Sequence, residues 1–129
     1  VLPITDLRMT RFWITLEEAV KLICWTLNVM YGREIFIPKI PSMRIVDLAK
    51  AVLPDAELKE IGIRPGEKIH ECLLTEDEAR NAFEGPNYYV IMDPGHLPKE
   101  PKCPLREGFR YTSDTNENWL SVEELREMI

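Results

Sequence analysis

Ile61-Gly-Ile-Arg-Pro-Gly-Glu-Lys-Ile-His-Glu71 ends the first half of this chain and turns it into the second. It closes the run Glu57-Leu-Lys-Glu-Ile-Gly-Ile63, whose near alternation of polar and apolar residues predicts a half-buried strand. Pro65 fixes one backbone angle and Gly66 permits unusual ones, so the pair predicts a defined turn. Arg64 carries a planar fork of donors suited to phosphate or carboxylate. Glu67 follows as an acceptor-only carboxylate, then Lys68, His70 and Glu71. The residue types alone allow two readings. One is a binding edge at the end of a strand. The other is a solvated turn whose exposed charges do little.

Upstream, extended segments alternate with helical ones. Val1 to Asp6 reads as an extended entry, since Pro3 excludes regular helix. Met9-Thr-Arg-Phe-Trp-Ile-Thr15 is aromatic and β-branched and predicts a short strand. Thr15-Leu-Glu-Glu18 is a capping box that opens a helix to about Tyr31, stopped by Gly32. Leu16, Ala19, Val20, Ile23, Leu27 and Met30 recur at helical spacing and predict one buried face. Cys24 and Trp25, on the same helix, read as core. Glu34-Ile-Phe-Ile-Pro38 predicts a strand. Ser42 is placed to cap a helix over Met43–Val52, with Ile45, Leu48, Ala49 and Val52 on its inner side.

Downstream, Ile69, Cys72 and Leu73 suggest a short helix or irregular chain. Thr75-Glu-Asp-Glu78 is a second capping box, for a helix to about Phe83, broken by Gly85-Pro86. Asn87-Tyr-Tyr-Val-Ile-Met92 predicts a strand, Asp93–Pro104 a long loop and Gly108–Ser113 an edge strand. Ser121-Val-Glu-Glu124 is a third capping box, for a terminal helix. The alternation through the first 65 residues implies an α/β arrangement. Too few strands are present for a complete doubly wound sheet, so the later part reads as a small cap on an incomplete one. The chain of 129 residues is expected to be one region, and its abrupt start suggests part of a longer protein.

The net charge of −6 arises wholly after residue 60: residues 61–129 hold eight basic and fourteen acidic side chains, against eight of each before them. A nucleic-acid partner is therefore not expected, because phosphate neutralisation needs a basic stripe. No apolar run is long enough to cross a membrane, and a cytoplasmic protein is expected. Cys24, Cys72 and Cys103 show no C-x-x-C spacing, which argues for a reducing compartment.

Much common chemistry is missing. The six glycines, at 32, 62, 66, 85, 95 and 108, form no dinucleotide fingerprint. His70, Cys72, His96 and Cys103 have the ligand types for a metal but not the spacing, so no metal is expected. Arg11 and Arg64 remain, each at the end of an expected strand, where open α/β sheets place ligands. Together they suit a pyrophosphate, and Glu67 suits sugar hydroxyls. Such groups bind and orient; they break no bonds. Trp13 and Trp119 are candidates for stacking on a base.

Met9-Thr-Arg-Phe-Trp-Ile-Thr15, Ile35-Phe-Ile-Pro-Lys-Ile-Pro-Ser-Met43, Asp47-Leu-Ala-Lys50, Ile61–Glu71 and Asn118-Trp-Leu-Ser-Val-Glu-Glu-Leu125 follow one another in this order. Together they closely resemble the C-terminal portion of the inverting UDP-N-acetylglucosamine 4,6-dehydratases, extended short-chain dehydrogenase/reductases of polysaccharide biosynthesis. The resemblance covers nearly the whole chain and is weakest over Asp93–Cys103. It implies a C-terminal substrate-binding part, normally packed on an NADP-holding Rossmann domain. It implies that Arg11 and Arg64 contact UDP, that Glu67 holds its ribose or uracil, and that Thr10 and Phe12 shape the same wall. In the family, oxidation at C4 of the sugar permits loss of water across C5 and C6. Hydride return with inversion at C5 then leaves a 4-keto-6-deoxy sugar, used for pseudaminic acid and related surface glycans. The family's Tyr-x-x-x-Lys pair is absent: none of Tyr31, Tyr88, Tyr89 or Tyr111 has Lys four residues on. The chain alone is therefore expected to hold no NADP, to be inactive and to be prone to self-association. The same region of a UDP-sugar epimerase, or a non-catalytic interaction module, stays open as an alternative.

Overall fold

The computed structural model describes residues 1–95 and 103–129. In chain order its elements are β1 (Leu2–Ile4), β2 (Thr10–Phe12), α1 (Leu16–Val29), β3 (Ile35–Pro38), β4 (Ser42–Arg44), α2 (Ile45–Val52) and β5 (Leu58–Glu60). Then come β6 (Cys72–Leu74), α3 (Glu76–Ala79), β7 (Ala82–Glu84), β8 (Tyr88–Ile91), β9 (Cys103–Pro104), β10 (Tyr111–Thr112) and α4 (Val122–Met128). The α/β class expected from the alternation holds.

Each of the three capping boxes starts a helix. The hydroxyls of Thr15, Thr75 and Ser121 accept from the amides of Glu18, Glu78 and Glu124, and each glutamate reaches back to the amide of its cap. These reciprocal bonds satisfy donors that a helix start leaves open. At α1 the bonds from the Thr15 amide and hydroxyl hold the Glu18 carboxyl below its usual range.

The described residues fall into two compact units. The first unit comprises Val1–Trp13, Ile40–Glu71 and Thr112–Ile129. In it β1 pairs parallel with β5, Leu2 opposite Leu58, and β2 pairs antiparallel with β4, Arg11 opposite Met43. Helices α2 and α4 pack on each other around Met43, Ala51 and the fully buried Leu125, with Trp13, Ile45, Leu48, Leu120 and Val122 against them. Ser42 does not cap α2 as its position suggests. Its hydroxyl is buried and accepts from Asn116 Nδ2 at 3.0 Å, so Ser42 becomes a strand residue and Arg44 stands at the cap without a side-chain bond. On α2 the buried pair is Ala49 and Ala51, while Val52 is exposed.

The second unit comprises Ile14–Lys39 and Cys72–Tyr111. Its sheet has the order β3-β8-β7-β9, antiparallel throughout, with Phe36 opposite Val90 and Phe83 opposite Val90 on its other flank. Gly85 makes the β7–β8 hairpin possible: a Cβ there would lie 2.5 Å from the Tyr88 ring. Val90 and Leu74 are fully buried. Cys72–Leu74 is strand rather than helix, and Phe83 lies on β7 because α3 stops at Ala79. Seven residues of the expected Asp93–Pro104 loop, 96–102, lie outside the described residues, and His96 is among them.

The apolar stripe of α1 is the largest departure from expectation. The helix forms, yet none of its residues is buried: Leu16 is 82% exposed, Ile23 58% and Leu27 68%. Ala19, Leu22 and Thr26 make the half-buried side instead. Cys24 is exposed, and Trp25 is partly so, touching Phe36 edge-on at 5.3 Å and Tyr88 at 4.9 Å. Periodicity reports that a helix has an apolar face; it does not report what covers that face.

Burial alone separates two leucines. Leu125→Ala should cost about 2–5 kcal/mol in urea unfolding, whereas Leu27→Ala should stay within about 0.5 kcal/mol. Equal losses would contradict the core described.

Candidate functional site

The expected site residues all belong to the first unit. The turn that leads the chain into β2 is built on Asp6. The Arg8 amide donates to Asp6 Oδ1 at 2.8 Å and the Arg8 guanidinium grips both carboxylate oxygens. The buried carboxyl is held down to about 2 by the Arg8 side chain first and the Arg8 amide second. The Met9 amide closes the turn on Asp6 O, which sends Thr10 and Arg11 into β2.

From β2, two side chains reach the segment Lys68–Glu71. Arg11 Nη1 donates to Thr10 O at 2.7 Å and Ile69 O at 3.0 Å. Its Nη2 donates to Lys68 O at 2.9 Å and contacts Met9 Sδ at 3.7 Å. Its Nε faces Glu71 Oε1 at 3.4 Å. The Thr10 amide donates to Ile69 O, and its buried hydroxyl lies 2.8 Å from His70 Nδ1 and 2.6 Å from Ser113 Oγ. Ser113 in turn accepts from the Glu71 amide and donates its own amide to Glu71 O. Neither His70 nor Ser113 stood among the expected site residues.

Arg64 and Glu67 occupy opposite ends of the expected turn. The Glu67 amide donates to Arg64 O at 3.1 Å, and Gly66 adopts φ 83°, as a type II turn requires at that position. The Glu67 carboxylate accepts from the Arg64 amide at 3.1 Å. The Arg64 guanidinium is exposed and makes no hydrogen bond or ion pair among the described residues. Thus Arg11 is spent on the loop, while Arg64 is available to an anion. Phe12 is half-buried on β2 opposite Ser42.

The remaining candidates separate. Trp13 packs on the α2–α4 core, its indole N–H buried and unpartnered among the described residues. The indole N–H of Trp119 donates to Asn116 O, and Arg44 lies 5.8 Å from the Trp119 ring. Among the described residues no group of three or more His, Cys, Asp or Glu is arranged to hold a metal. No helix among them is long and apolar enough to cross a membrane.

Residues 1–93 match the family model described as polysaccharide biosynthesis protein. The chain belongs to that family. Within it, the inverting UDP-N-acetylglucosamine 4,6-dehydratase of Campylobacter jejuni is 45% identical over 139 aligned residues, covering 99% of this chain and 42% of that protein. A UDP-glucose 4-epimerase of Rickettsia conorii is 34% identical over 141, covering 100% of this chain and 40% of that protein. The crystal structure of Pen from Bacillus thuringiensis superposes with a TM-score of 0.79 at 36% identity, over 99% of this chain and 39% of that one. The α/β fold is thus that of part of an extended short-chain dehydrogenase/reductase, as the motifs indicate. The chain spans about two fifths of the length of the relatives it matches.

Because Asp6 is depressed when folded, its contribution to stability is present above its unfolded value of 3.8 and is lost as pH falls from there toward 2. Asp6→Asn should therefore lower stability at neutral pH and flatten the acid limb between pH 4 and about 2. An unchanged limb in a stability–pH series would contradict the Asp6–Arg8 pairing.

Proposed function

We propose that this chain forms the UDP-sugar-holding region of a UDP-N-acetylglucosamine 4,6-dehydratase that inverts C5, making a 4-keto-6-deoxy sugar nucleotide for surface glycans such as those built from pseudaminic acid. The observation that carries this reading is the uncommitted Arg64 fork on a turn that runs directly into Lys68–Glu71, the segment held by β2. A diphosphate would accept the fork bidentately. Glu67 would accept from ribose hydroxyls or uracil through the oxygen that the Arg64 amide does not use. Thr10, Arg11 and Phe12 form the wall behind them. The closer similarity to the dehydratase favours that chemistry over epimerisation, the second reading, which would use the same UDP edge.

The residues present do not fit a nicotinamide dinucleotide. No glycine-rich turn connects a strand to a helix start, and Tyr-x-x-x-Lys is absent. This chain's part in the reaction is to bind and orient the substrate. NADP and the proton-transfer groups belong to a Rossmann domain, which in this reading packs on residues 1–129 as one C-terminal region. The exposed stripe of α1 supports such packing, since contiguous apolar surface marks an interface. In its absence the stripe favours self-association. In this reading the protein works in the cytoplasm.

Calorimetry with UDP should show binding by the parent and a loss of about tenfold or more for Arg64→Ala, the scale of one charge-assisted contact. Equal affinity of the two would remove Arg64 from the site. The 129-residue polypeptide with UDP-N-acetylglucosamine and NADP should give no 4-keto product. Detectable turnover would sink the assignment of catalysis to another domain.

A further inference from the structure

The hydrogen bonds that hold the segment after the Arg64–Glu67 turn have only one satisfied proton arrangement. The Glu71 amide donates to Ser113 Oγ at 2.9 Å, so the Ser113 hydroxyl must place its own hydrogen elsewhere. Its neighbour is Thr10 Oγ1 at 2.6 Å. Thr10, accepting from Ser113, must then send its hydrogen to His70 Nδ1 at 2.8 Å. His70 Nδ1 is thereby an acceptor, with the ring hydrogen on Nε2, which faces Asp114 Oδ2 at 4.0 Å. In the opposite polarity, the Ser113 hydroxyl hydrogen has no acceptor among the described residues. Ser113 is fully buried, so that stranded donor would be costly.

We propose that Ser113, Thr10 and His70 form a one-directional hydrogen-bond relay, with His70 in its Nε2–H form, that positions Glu71 and hence the Arg64–Glu67 edge for its ligand. These are positioning residues: they act through the backbone of residues 69–71. Two features argue for positioning over ordinary packing. The relay joins three separate stretches of chain, with Thr10 sixty residues from His70 and 103 from Ser113. It also converges on one segment, since Ser113 pins both the amide and the carbonyl of Glu71, while Thr10 pins the carbonyl of Ile69. The ligand half of this inference rests on the reading of that edge as a UDP site; the relay itself does not.

Two measurements on the 129-residue chain test it: amide hydrogen exchange at Ile69–Glu71, and UDP affinity by calorimetry. His70→Asn keeps an acceptor near the Nδ1 position, whereas His70→Phe removes it. His70→Phe should raise exchange at Glu71 and weaken UDP binding about tenfold, the scale of one buried hydrogen bond. His70→Asn should restore both, a rescue that simple loss of packing would not produce. Ser113→Ala deletes a single oxygen and should raise Glu71 exchange in the same way, which keeps the test decisive if His70→Phe does not fold. The relay is overturned if His70→Asn behaves as His70→Phe does, or if Ser113→Ala leaves Glu71 exchange at the parent rate. A parent that binds no UDP overturns the UDP reading, and the exchange arm then decides the relay by itself.

Discussion

The docking of β2 onto the backbone of Lys68–Glu71 is the constraint on which the candidate site depends. A turn built from Arg64-Pro65-Gly66-Glu67 is locally well defined, but nothing within those four residues says where it should sit. That is decided from across the unit. Arg11 spends its guanidinium on the carbonyls of Lys68 and Ile69, and Thr10 adds an amide and a hydroxyl. Carbonyls that a loop would otherwise present to water are thereby satisfied by a charged donor, which makes stronger bonds than a neutral one.

This arrangement divides labour between two arginines that look equivalent in the sequence. Arg11 sits on a strand, mostly covered, with carbonyls within reach. Arg64 sits at a turn start, exposed, with its backbone rather than its side chain engaged by Glu67. The same residue type therefore fixes the loop in one place and faces solvent in the other. The surrounding backbone makes the difference.

How much could be read beforehand followed the range of each interaction. The three capping boxes were legible because both partners lie within four residues. The Pro65-Gly66 turn was legible for the same reason, and the ordered motifs pointed to the family. Ser42 was misread because its hydroxyl is claimed by Asn116, 74 residues away, and no local pattern records that. Ser113 was missed because a small polar residue in the turn after a two-residue strand carries no signature of its own. The stripe of α1 was read correctly as apolar and wrongly as buried, since a helical period describes the helix and not its surroundings. Of the candidate site, Arg11, Arg64 and Glu67 were chosen from side-chain chemistry. Their different engagement required the fold.

In the proposed function, residues 61–71, of which Lys68–Glu71 are held by β2, are the surface that meets UDP. This is tested most directly by assigning the backbone amide NMR spectrum of the chain and titrating UDP into it. Saturable shifts are expected at Thr10–Phe12 and Arg64–Glu71, with the α2–α4 core around Leu125 unmoved. Shifts that saturate elsewhere while these segments stay still would contradict it.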